Sequence, residues 1–134
     1  MLHSANIRFY RHDLGDAELA LVREVLAQPI LTTGAYVETF ERRFAEFLGV
    51  EHALAVTSCT GALHLALMAL GVGQGDEVIT TPMTFVATAT AIIEAGAVPI
   101  FVDVEEETGN LDVDKIEAAI TPRTKAIVPV HLYG

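Results

Sequence analysis

The chain has 134 residues, 51% of them hydrophobic, with eight Lys and Arg against eighteen Asp and Glu, for a formal net charge of −10. That length supports one ordinary globular core, or part of one, while the acidic balance and the lack of any basic run weigh against nucleic acid as a partner. No segment reaches about eighteen uninterrupted apolar residues and the opening MLHSANIRFYRHD has no signal-type apolar stretch, so a soluble, cytoplasmic protein without a membrane partner is expected.

In residues 16–28, Leu19, Val22, Val25 and Leu26 form a helical stripe that Pro29 stops. After the loop PILTTGAY, Val37, Phe40, Phe44, Phe47 and Leu48 repeat at three- and four-residue steps up to Gly49, a natural C-terminal cap. The next stretch, HALAVTS at 52–58, is short, apolar and rich in β formers. It reads as a strand buried on both faces, followed by a helix over 60–70 that Gly71 closes.

The alternation then repeats. EVITTP predicts a strand, FVATATAIIEAG a helix ending at Gly96, and VPIFVDV a second strand of the continuous apolar kind. Asp112 caps a helix over 113–120, and KAIVPV supplies a further strand. Strands alternating with helices predict an α/β fold, a mostly parallel sheet with helices on both faces, preceded by two helices outside the alternation. Those two helices are expected to pack on the edge of the sheet or on another subunit. The closing VHLYG reads as a strand tip where another crossover would begin, so the chain is expected to be a piece of something longer.

At residues 58–61 a strand runs through Ser58, Cys59, Thr60 and Gly61 into a helix. Such a turn presents free N–H groups and the positive end of a helix dipole, the physical basis for holding a phosphate. It falls at the carboxyl end of a strand, where open α/β sheets place their ligands. Thr60 offers a hydroxyl and Gly61 a close approach to the backbone; the alternative is that Ser58 or Thr60 only caps the helix and Gly61 only relieves crowding. The stretch has neither the lysine of a nucleotide phosphate loop nor the glycines of a dinucleotide fingerprint. Phe85, after TTPMT, stands where a ring reaches the same sheet edge, or else begins a helix as a core aromatic. A cofactor with a phosphate and a flat ring would use both places, and pyridoxal phosphate (PLP) is such a molecule.

The succession LTTGAYVETFERRFAEFLGV, then TSCTGALHLALMALGVGQGDEVITTPMTFVATATAIIEAGAVPIFVDVEEETGNLDVDKIEAAITPRTKAIVPVHLYG, resembles the N-terminal part of the large domain in the DegT/DnrJ/StrS family of PLP-dependent sugar aminotransferases, over residues 14–134. The resemblance implies an incomplete portion of the PLP-binding large domain, with the helices in 1–50 and the alternating strands and helices in 51–134. It implies that Thr60 and Gly61 hold the cofactor phosphate with Cys59 beside them, and that Phe85 stacks on the pyridine ring. The family often has alanine at the position of Gly61. The loop of Thr32, Thr33 and Gly34 resembles a segment near the active site of the family's homodimer, with no defined contact, and His131 has no assigned role.

Pyridoxal chemistry needs a Schiff-base lysine and a carboxylate on the ring nitrogen. The chain has two lysines, Lys115 and Lys125, and both read as solvated surface charges. In the family both catalytic groups come later than the HLYG segment. The resemblance therefore implies a parent protein that transfers an amino group from a donor such as glutamate to a nucleotide-linked keto sugar, in polysaccharide or sugar biosynthesis. These 134 residues alone are expected to be inactive and to bind PLP weakly or not at all.

Enzymes of this class also place later strands between 53–57 and the other three strands. An isolated chain is thus expected to rearrange, exchange elements with a second copy, or lean on a subunit contact. Other readings are a non-catalytic module on the same scaffold, a PLP-dependent sugar dehydratase parent, and a cysteine enzyme using Cys59 and His64, which stand five residues apart on one helix and so point apart. The five histidines and one cysteine show no metal-ligand spacing.

Overall fold

The computed structural model describes residues 10–32 and 34–132, in two units, Met1–Ala55 and Val56–Gly134. The predicted loop residue Thr33 lies outside the described residues.

The first unit holds α1 (Asp16–Leu26) and α2 (Ala35–Leu48). Helix α1 begins where the Gly15 N–H donates to Glu18 Oε2 at 2.7 Å, placing a carboxylate at the positive end of the helix dipole. Gly49 ends α2 with φ of 68°, a left-handed cap that costs glycine nothing sterically. The helices are tied by Tyr36, whose hydroxyl donates to Glu24 Oε2 at 2.7 Å. The Phe40 and Phe44 rings stack with centroids 5.6 Å apart. The apolar stripe of α2, Val37, Phe40, Phe44, Phe47 and Leu48, is exposed throughout, Ala45 being the buried residue of the helix, and an open apolar groove of about 950 Å³ runs along Val25, Leu31, Val37, Phe40, Phe44 and their neighbours.

The second unit holds α3 (Cys59–Ala69), β1 (Glu77–Thr80), α4 (Ala87–Glu94), β2 (Val98–Phe101), α5 (Val113–Ala119) and β3 (Thr124–Ile127). The three strands pair in parallel in the order β2-β1-β3. Successive side chains of β1 go to opposite faces. Val78 joins Leu67 of α3 and Ala91 and Ile92 of α4, while Ile79 joins Val102 and Leu111, with Ile116 and Ala119 of α5 packed against them. Helices therefore cover both faces, as the alternation predicts. Val78, Ile79, Ala91 and Ile92 are all fully buried, and burial of the larger ones contributes about 1.5–3 kcal/mol each.

Three expectations change. Residues 52–58 do not form a strand: no strand pairs with them among the described residues, and Leu54 is 86% exposed. An extended segment counts as a strand only when a neighbour takes its N–H and C=O groups. The VPIFVDV segment is not buried on both faces, because β2 is an edge strand whose Val98 and Phe101 are exposed. The last strand is shorter than its sequence pattern, opens at Thr124, and shifts register against β1 between Glu77 and Val78, so that Lys125 is the unpaired extra residue of a bulge.

Candidate functional site

Helix α3 returns toward the amino end of β1 through 70–76, and Val72 and Leu67 pack against Val78 on the way. Helix α4 comes back to the same place, since a Cβ on Gly96 would lie 3.3 Å from the Gln74 backbone nitrogen. Both helices thus have their C-termini near the start of β1 and their N-termini toward its carboxyl end. That arrangement sends two of the predicted features to one edge of the sheet: the 58–61 turn at the N-terminus of α3, and Phe85 in the loop from β1 to α4.

At the turn, Ser58 is the N-cap. Its backbone is extended, with φ of −159°, and its Oγ accepts the Gly61 N–H at 3.0 Å. The capping reading of Ser58 holds, and it occupies the donor of Gly61. The N–H groups of Cys59 and Thr60 have no acceptor among the described residues, so the open donors lie one and two positions earlier. Cys59 is exposed and Thr60 half-buried. At Gly61 the free space is limited, because an added Cβ would sit 3.3 Å from Ser58 Oγ.

Phe85 is 73% exposed and is not a core aromatic. Its backbone, by contrast, is held on both sides. The Thr84 and Thr88 hydroxyls are hydrogen-bonded at 2.8 Å, and the Thr88 N–H donates to the Phe85 carbonyl at 3.1 Å. Sequence reasoning passed over these threonines; their four-residue spacing across a helix start is the signal that could have found them.

Neither lysine has the setting of a Schiff-base nucleophile. Lys115 Nζ lies 2.8 Å from Asp112 Oδ2, and that carboxylate raises the lysine pKa, favouring the charged and non-nucleophilic form. Lys125 is exposed at the bulge, toward the amino ends of the strands. His131 is exposed, and no group of three or more His, Cys, Asp or Glu able to hold a metal occurs among the described residues. Nor is any described helix long and apolar enough to cross a membrane.

This edge carries open N–H donors at one helix start and an exposed ring before the next. The family model for DegT/DnrJ/EryC1/StrS aminotransferases matches residues 12–134. The chain belongs to that family. It is 54% identical over 121 residues to the spore coat polysaccharide biosynthesis protein SpsC of Bacillus subtilis, covering 90% of the chain and 31% of SpsC. To the GDP-perosamine synthase of Caulobacter vibrioides it is 52% identical over 105 residues, 78% of the chain and 28% of the synthase. Among solved structures it resembles the PLP form of Spr1654 from Streptococcus pneumoniae, with a TM-score of 0.88 and 39% identity over 96% of the chain and 33% of Spr1654. The PMP form of the same protein gives a TM-score of 0.88 as well. The chain spans about a third of the length of these relatives. The α/β unit described above is accordingly an incomplete portion of the aminotransferase fold.

Proposed function

We propose that the whole protein of which this chain is a part is a PLP-dependent aminotransferase that moves an amino group from an amino acid such as glutamate onto a nucleotide-linked keto sugar. Support comes chiefly from the family match across 12–134, to which the names of SpsC and GDP-perosamine synthase add polysaccharide and nucleotide-sugar chemistry. When bound, the cofactor acts as the electron sink that lets an amino group change carbons.

The residues of this chain fit such a molecule. The open N–H groups of Cys59 and Thr60, at the positive end of α3, favour a phosphate, and the Thr60 hydroxyl adds a donor. Gly61 takes its part as the small residue beside these donors, with its own N–H kept by Ser58. Phe85 offers an exposed aromatic face at the same edge for a flat ring. The Schiff-base lysine and the carboxylate for the ring nitrogen belong, in this reading, to the part of the protein after residue 134, so residues 1–134 alone are inactive. The working assembly is a cytoplasmic homodimer.

The test uses the full-length protein with PLP, glutamate and a nucleotide-linked keto sugar. Glutamate alone should convert bound PLP to pyridoxamine phosphate, and the sugar should then return it to PLP with release of an amino sugar. Conversion by glutamate with no turnover on any keto sugar would remove the sugar substrate, and no PLP binding at all would remove the whole reading.

A further inference from the structure

We propose that Thr88 is a positioning residue for Phe85, fixing the place and angle at which the ring leaves the carboxyl edge of the sheet. The inference rests on the reading of Phe85 as the residue that stacks on the cofactor ring.

With 73% of its surface exposed, Phe85 takes little of its position from packing among the described residues. What fixes it is the backbone on either side. Thr88 acts on both flanks: its hydroxyl is bonded to that of Thr84 at 2.8 Å, and its N–H donates to the carbonyl of Phe85 at 3.1 Å. Further back, Thr81 Oγ1 accepts the Met83 N–H at 3.1 Å, and the Thr84 N–H donates to the Pro82 carbonyl at 3.0 Å. Every residue from 81 to 85 is thereby engaged by a short bond within the loop or to Thr88.

The support for this loop is itself anchored. Thr88 is 8% exposed and Thr81 is fully buried, and α4 is seated by Ala91 and Ile92, which are fully buried in the core. A valine would fill the space of Thr88, so packing alone does not call for the hydroxyl; among the described residues its one bond is to the residue next to Phe85. Aromatic stacking depends on offset and separation, and a ring held ready before the ligand arrives loses less freedom on binding. The chain of support runs from the core through α4 to Thr88 and then to Phe85.

The experiment uses the full-length protein with PLP as the probe, in the variants Thr88→Val, Thr88→Ser, Thr84→Val, Phe85→Ala and the double variant Phe85→Ala with Thr88→Val. Three quantities are read: PLP affinity, the circular dichroism induced in the bound cofactor, and the thermal midpoint without cofactor. Thr88→Val and Thr84→Val should each weaken PLP binding about threefold to tenfold and reduce the induced signal, while Thr88→Ser stays within about twofold of the parent. In the Phe85→Ala background, Thr88→Val should have no further effect on affinity. An equal loss in both backgrounds, or a Thr84→Val protein that binds PLP with unchanged affinity and signal, overturns the proposal. Should Thr88→Val fail to fold, Thr84→Val decides alone, because it removes the same bond from the less buried side. Weakened binding in Phe85→Ala with both threonine variants normal refutes only the positioning role; unchanged binding in Phe85→Ala refutes the stacking assignment as well.

Discussion

Arg123 meets Glu77 through two separate parts of itself: its carbonyl accepts the Glu77 N–H at 2.8 Å, and its guanidinium Nε donates to Glu77 Oε1 at 2.9 Å, with Nη2 on the same oxygen. Thr121 Oγ1 holds the other carboxylate oxygen. Glu77 is 5% exposed, so this carboxylate is buried at the start of β1 and fully partnered by the turn that leads into β3. The hydrogen bond from Thr121, then those from Arg123, hold its pKa below the ordinary 4.5.

A carboxylate with a depressed folded-state pKa adds stability above its ordinary value and loses it as the pH falls through the folded value. Glu77→Gln should therefore be less stable than the parent at about pH 7, and the gap should close as the pH is lowered below about 4. Urea unfolding of both proteins across that range checks the direction. A gap that stays constant into acid would show that the charge of Glu77 is not what holds the turn.

Ser58→Ala removes the cap of α3 and should cost about 1 kcal/mol, whereas Ser58→Gly should cost only a few tenths. Gly61→Ala gains helix propensity but brings a Cβ to 3.3 Å from Ser58 Oγ, so its net effect should stay within about 1 kcal/mol of zero. Combining Gly61→Ala with Ser58→Gly removes the hydroxyl in question, and the alanine should then be clearly stabilising. Denaturant midpoints of the four variants are the measurement.

Gly96 follows α4 with φ of 88°, and a Cβ there would lie 3.3 Å from the Gln74 backbone nitrogen. A left-handed conformation costs an ordinary residue about 1–2 kcal/mol, and backbone cannot move aside as a flexible side chain can. Gly96→Ala should thus destabilise by about 2 kcal/mol or more, readable as a lowered thermal midpoint.

Phe85→Ala and Ile92→Ala should separate binding from folding. Ile92 is fully buried between α3 and the sheet, and its truncation should cost about 2–5 kcal/mol. The exposed Phe85 should cost within about 0.5 kcal/mol of folding stability while weakening PLP binding by the full-length protein. A large loss of stability in Phe85→Ala would mean that the ring is structural.

Helices and their ends were largely legible from local chemistry: Gly49 beyond α2, Asp112 before α5, and the apolar steps between them. The middle strand was legible because β1 is buried on both faces, so its continuous apolar pattern has a single meaning. Residues 52–58 carry the same composition without a paired neighbour, and composition does not report pairing. Val98 and Phe101 show the same limit, since an apolar residue on an edge strand looks in sequence like one in the centre. At the candidate site the turn and the ring were both visible as residue types, but the use of the Gly61 N–H by Ser58 was not, because the sequence offered two capping hydroxyls. The Thr84 and Thr88 pair was harder to see because it carries no charge, and its four-residue spacing is shared by threonine pairs that make no such bond.

The strand order β2-β1-β3 also implies an order in time. Strand β2 follows β1 after a single short helix, whereas β3 comes only after β2, a loop and a further helix, so the first pairing closes the smaller loop and forfeits less chain entropy. The clasp of Arg123 and Thr121 on Glu77 belongs to the later closure, and it marks the moment at which the second edge of β1 leaves water. Substitutions in that clasp should accordingly speed unfolding more than they slow folding, while those around Val78 and Ile92 should act on both.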